Sequence, residues 1–190
     1  MKKSRRLIRN TILALNGIVV LYVGANRLYG SEESTQPLQR TSAAELAMLR
    51  DFTAIEVSGD FSVDVVQDAA YSIGITPPEA GKGQLIARMR GDTLVLRGFF
   101  NAPATRVRVG MPGLAGVLAH EGVPGLTVSG FTGDSVSLHL AGKPKVVLRN
   151  NGVRQWHIFA SDSGELQIDK TSIGAGKVDL KGHATLTVID

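Results

Sequence analysis

The chain has 190 residues, enough for one ordinary domain plus a short appendage, and 43% hydrophobic residues suffice for a core. With no cysteine, disulfides, thiolate metal sites, a cysteine nucleophile and a cysteine-linked lipid anchor are excluded. The net charge of +4 sits at the front: residues 1–30 hold Lys2, Lys3, Arg5, Arg6, Arg9 and Arg27 and no acid, leaving 15 basic against 17 acidic residues beyond them. The remainder is not basic, so the clustered positive face that nucleic acid requires is missing.

Met1–Asn10 is polybasic, and Thr11–Ala25 is apolar apart from Asn16 and Gly17. This is the pattern of an export signal, with the basic end cytoplasmic and the following chain beyond the inner membrane. Two fates stay open. The apolar run of about fifteen residues reaches roughly 22 Å as a helix, short of a ~30 Å hydrocarbon core, and Val23-Gly24-Ala25 offers a small-residue cleavage site. Leu7-Ile8 and Leu28-Tyr29 extend the apolar character, with Arg9, Arg27, Tyr22 and Tyr29 placed for the two interfaces of a retained anchor. Residues 1–30 therefore read as a signal peptide or a single transmembrane anchor helix, facing the chain into the periplasm or onto the cell surface.

Ser31–Ser42 is polar and reads as a linker. Ser42-Ala-Ala-Glu45 has capping-box spacing ahead of Leu46, Met48 and Leu49, predicting a short helix to about Arg50 that covers the first coil of the domain, 51–190. Alternation then predicts strands at Phe52-Ile55-Val57, Phe61-Val63-Val65, Tyr71-Ile73-Ile75, Leu85-Ala87-Met89, Leu94-Leu96 and Val107-Val109, with a turn at Gly91-Asp92.

From Gly125 the apolar residues restart at steps of about ten: Leu126, Val136, Val146, Trp156 and Leu166, then Val178 after a two-residue slip, then Leu186. Glycine or asparagine punctuates the intervals, as at Gly130, Gly142 and Asn150-Asn151-Gly152, with Asn150-Asn151 read as a left-handed corner. Short strands between corners fit an antiparallel meander or sandwich, or a parallel β-solenoid, and the even spacing favours the solenoid. The expected fold is all-β: a right-handed parallel β-solenoid of about twenty-residue coils. One sheet would stack Leu126, Val146, Leu166 and Leu186, and a second Val136, Trp156 and Val178, with Arg149 beside Asp169 and His157 near Asp179.

The first half also resembles a known family. Phe52-Thr-Ala-Ile55-Glu-Val57-Ser-Gly59, Phe61-Ser-Val63-Asp-Val65-Val-Gln67 and Tyr71-Ser-Ile73 carry the likeness. So do Gly91-Asp-Thr-Leu94 and Val107-Arg-Val109-Gly-Met-Pro112-Gly-Leu114, followed by a glycine-rich strand ladder. Together, over about Phe52–Asp190, they resemble the head GIN domain family, described as putative auto-transporter adhesins. The resemblance implies a right-handed parallel β-solenoid outside the inner membrane, no established activity and no assigned functional residues. The chain ends at Ile189-Asp190 without room for a membrane barrel, so autotransport in the strict sense is not expected.

Candidate chemistry is sparse. His120, His139, His157 and His183 lack the partners of a metal set and read as surface residues. Asp162, Glu165, Asp169 and Asp179 could supply the two carboxylates of a polysaccharide-cleaving solenoid, although corner aspartates are common for turn reasons alone. No Gly-x-Ser-x-Gly elbow marks a nucleophile. Among aromatics, Phe99-Phe100, Phe131 and Phe159 are expected to face out, and Phe99, Phe100, Phe159, His139 and His157 are the candidate surface contacts. The expectation is a non-enzymatic, adhesin-like envelope protein without cofactor or metal, meeting a partner protein or surface glycan and able to self-associate through its C-terminal edge. The alternative is a periplasmic protein that binds or cleaves polysaccharide.

Overall fold

The computed structural model describes residues 41–76, 84–100, 105–161, 164–172, 176–183 and 185–189. Residues 1–30, expected to direct export, and the polar residues 31–40 lie outside these. The described residues fall within one compact unit, Leu38–Asp190.

One helix, α1 (Ala43–Met48), precedes β1 (Ala54–Gly59), β2 (Ser62–Gln67), β3 (Ser72–Thr76), β4 (Gln84–Arg90), β5 (Thr93–Phe99), β6 (Arg106–Met111) and β7 (Gly116–Ala119). Then follow β8 (Gly125–Ser129), β9 (Thr132–Leu140), β10 (Lys145–Arg149), β11 (Gly152–Ala160), β12 (Glu165–Asp169), β13 (Lys177–Leu180) and β14 (Thr185–Ile189). The fold is all-β, in two seven-stranded sheets that are mostly parallel. The first runs β13-β11-β9-β7-β1-β5-β4 and the second β14-β12-β10-β8-β2-β6-β3. Only β4 on β5 and β3 on β6 pair antiparallel within these sheets.

From β7 onward each strand crosses to the sheet opposite its predecessor, so sequence neighbours pack face to face and residues one full circuit apart pair edge to edge. Lys145 faces Gly125 and Glu165, and Glu165 faces Thr185, an offset of twenty residues at each step. This places Leu126, Val146, Leu166 and Leu186 in one inward row, as the spacing predicted. The parallel row in the first sheet differs from expectation. Trp156 does sit on Val136, but Val178 sits on Ile158. The offset is still twenty there, with His157 facing Lys177. The two-residue slip is an artefact of Gly176, which stands twenty residues after Trp156 and offers no side chain to mark the row.

Inward residues of both sheets form one core, including Phe52, Phe61, Val63, Leu94, Leu126, Leu148 and Trp156, each at most 1% exposed. Corners repeat with the strands. Gly130, Asn150 and Lys170 adopt φ of 80°, 52° and 45°, one left-handed corner at three successive levels. Asn151 follows that corner and is buried. Its Oδ1 accepts from the Phe131 N–H at 2.9 Å, its Nδ2 donates to the Val128 carbonyl at 3.0 Å, and its backbone N–H donates to Thr171 Oγ1 at 3.2 Å. One amide thus braces three levels.

The Ser42–Glu45 capping box forms as predicted, Ser42 Oγ accepting from the Glu45 N–H and Glu45 accepting from the Ser42 N–H at 2.7 Å. The helix does not cover a coil begun by β1, because β1 and β2 lie inside their sheets. It packs near β3, inserting Leu46 into the core, while Thr41 donates its N–H to the Leu85 carbonyl and accepts from the Ala87 N–H at 2.8 Å. The covered edge is that of β3 and β4, because the chain enters mid-sheet and doubles back through the β4–β5 hairpin.

Candidate functional site

The outward face of the first sheet holds the most organised set of polar and aromatic side chains. Strand pairing aligns Glu56, Leu118, His139, Phe159 and Asp179 as one rung across β1, β7, β9, β11 and β13. Parallel in-register strands place such residues about 4.8 Å apart, which is ring-stacking distance. The His139 and Phe159 rings stack at 5.0 Å with 20° between their planes. Lys177 brings its ammonium 5.8 Å from the Phe159 centroid. Partial burial lowers the His139 pKa, because desolvation disfavours the imidazolium. Beside the rung opens a shallow groove of about 250 Å³, lined by Leu118, His139, Phe159, Ser161, Asp179 and Lys181.

At the other end of the rung, Glu56 points away from the core yet is only 5% exposed. It accepts from His120 Nε2 at 3.1 Å and pairs with the Arg90 guanidinium. The His120 hydrogen bond, helped by the positive charges of Arg90 and Arg97, holds its pKa below the usual carboxylate range against the opposing effect of burial. Sequence reasoning missed this trio. Positions 56, 90 and 120 have no shared spacing, and only the strand order β7-β1-β5-β4 gathers them.

The expected surface residues divide. His139 and Phe159 lie together on the rung. His157 occupies the adjacent rung between Ser137 and Lys177, so the expected His157–Asp179 neighbourhood does not form. Phe99 is 72% exposed at the end of β5, but β9, β7 and β1 separate its strand from that of Phe159, a gap of about 19 Å. Phe100 does not face out. It is 4% exposed, its ring set edge-on to Phe61 at 5.5 Å and its N–H donated to Asp60 Oδ1 at 2.8 Å. Successive residues on extended backbone point to opposite sides, so only one of Phe99 and Phe100 can reach solvent. Phe131 is likewise buried at its corner.

The carboxylates do not converge on a cleft. Arg149 Nε donates to Asp169 at 2.9 Å, as predicted, and Lys145 lies 3.5 Å from Glu165, both on the second sheet. Asp179 belongs to the first sheet, and Asp162 lies outside the described residues. Among the described residues no three histidines or carboxylates gather in a set able to hold a metal ion.

Residues 51–190 match the family model described as putative auto-transporter adhesin, head GIN domain. The fold is similar to the crystal structure of a putative adhesin from Bacteroides fragilis NCTC 9343, with a TM-score of 0.50 and 13% identity, covering 74% of this chain and 94% of that one. A putative adhesin from Parabacteroides distasonis ATCC 8503 aligns with a TM-score of 0.41 and 14% identity, covering 74% of this chain and 75% of that one. At such identity the first likeness speaks to the fold alone. No curated protein sequence matches the chain.

Proposed function

Because the chain belongs to the head GIN domain family, we propose that it is a non-enzymatic, adhesin-like protein of the cell envelope. In this reading the domain is a right-handed parallel β-solenoid of about twenty-residue coils, exported by residues 1–30, which are removed as a signal or kept as an inner-membrane anchor. The solenoid displays the outward rung of its first sheet to a partner protein. The observation that carries this reading is the continuous rung Leu118, His139, Phe159 and Asp179 beside its groove. Such a strip presents apolar, aromatic and charged groups at fixed spacing on rigid strands, which suits recognition of another protein surface.

Two features weigh against polysaccharide as the ligand. Sugar rings stack on open aromatic faces, but Phe159 has His139 against one face and the Lys177 ammonium near its ring. The exposed Phe99 is too distant to share a groove with it. Cleavage would need two carboxylates across one cleft, whereas Glu165 and Asp169 are engaged by Lys145 and Arg149.

Photo-crosslinking in intact cells tests the reading, with the reactive residue placed in turn at Leu118, Ser137 and His157 on the rung face and at Val147 and Gln167 on the second sheet. Adducts to one envelope protein from the first three positions alone are expected. Equal labelling from both sheets would overturn the assignment of the face. A phosphatase fused after residue 190 should be active only if the domain is exported.

A further inference from the structure

We propose that two copies of this chain join through the β13–β14 edge as a closed two-fold dimer, the sheets continuing antiparallel from one copy into the other. The inference goes beyond display and does not rest on what the rung face contacts. It starts from a discontinuity in burial. In the row Leu126, Val146, Leu166 and Leu186 the first three are at most 2% exposed and Leu186 is 44% exposed. In the row Val128, Leu148, Ile168 and Val188 the first three are at most 1% exposed and Val188 is 60% exposed. These are inward positions of a core that, among the described residues, stops without a lid.

On the second sheet the edge strand β14 also lacks the devices that keep strands from pairing. Thr185-Leu-Thr-Val-Ile189 carries no charge and no proline. The opposite end is guarded, with Arg88 and Arg90 on the edge strand β4, Thr41 bonded to that strand, and α1 packed near β3. A β14 edge therefore has no open β3–β4 edge to join in a growing stack. The surface left to it is its own copy, and such self-complementary contact closes at two.

The residues fit that symmetry. Centring a two-fold on Val178 sets Lys177 of β13 opposite Asp179 of the partner copy, and Asp179 opposite its Lys177, so each outward charge meets its opposite. Centring it on Thr187 sets Leu186 of β14 opposite the second copy's Val188, apolar on apolar. Val178 and Thr187 each stand three residues from the 181–184 connection. One axis perpendicular to both sheets therefore serves both strands at once.

The chain has no cysteine, so a single introduced thiol can bond only to another copy. In the full-length protein, Thr187→Cys lies on the proposed axis and should give a disulfide-linked dimer under mild oxidation, while Gln167→Cys, one strand inward, should stay monomeric. Sedimentation should show a dimer whose dissociation constant rises about tenfold in Lys177→Asp or in Asp179→Lys, because two symmetric attractions become repulsions. Combining both substitutions restores opposite charges across the axis and should return the constant to within about threefold of wild type. Monomer at tens of micromolar, species larger than a dimer, equal cross-linking at positions 167 and 187, or no recovery in the double variant would each overturn the proposal. None of these results would alter the photo-crosslinks expected of the rung face, so the two readings fail separately.

Discussion

Glu56 lies on the solvent side of its strand and is nevertheless hidden, which ties its charge to the folded state. Its pKa is depressed, by the His120 hydrogen bond first and then by Arg90, so the folded protein binds a proton there less readily than the unfolded chain. The stability this supplies is fully present above the ordinary carboxylate value near 4.5 and is lost as pH falls through the lower folded value. Glu56→Gln should therefore cost about 1–3 kcal/mol at pH 7 and progressively less below pH ~4.5, where the two proteins converge. Urea midpoints measured across pH 3–7 check this, and a cost independent of pH would refute it. Nothing in the sequence marks Glu56, since alternation assigns position 56 to the solvent face and is silent on what folds over it. Asn151 was half legible: the Asn-Asn-Gly run signals a corner, and Asn150 does take the left-handed conformation, but the bonds of Asn151 to Phe131, Val128 and Thr171 depend on neighbouring levels.

At the scale of the element, β11 links core and candidate site, its inward row carrying Trp156 and Ile158 and its outward row His157 and Phe159. Trp156 is fully buried, and its indole N–H finds no acceptor among the described residues. Trp156→Ala should cost about 3–5 kcal/mol, from lost burial and the cavity left behind. Trp156→Phe should cost less than about 2 kcal/mol, because it removes an unpaired buried donor along with the volume. Denaturant titration of both variants distinguishes the two terms, and equal losses would mean that the N–H is not a burden. Apolar alternation made the inward row of β11 readable. The stacking of its outward row was not readable, because whether Phe159 meets Asp179 or His157 does depends on register with β13, and Gly176 removes the side chain that would have shown it.

Across the whole molecule, strands bonded mainly to their immediate neighbours give stability that is nearly one-dimensional. Protection should then decline toward the open end. In dilute, dissociated protein, backbone amides of β13 and β14 should exchange with solvent before those of β9 to β12, since β14 is exposed along its length. Uniform protection by mass-resolved hydrogen exchange would contradict this. All the strands but β7, most of their inward faces, the twenty-residue repeat, the Ser42 cap and the Arg149–Asp169 pair were determined by the sequence itself. Each rests on local propensity or on a period that one residue-to-residue count can reveal. The tertiary structure decided the entry of the chain at mid-sheet, the antiparallel β3 and β4, the Glu56 cluster, the burial of Phe100 and the uncovered β13–β14 edge. These depend on which strands become neighbours over separations of tens of residues, and that choice is made by the closure of the whole core.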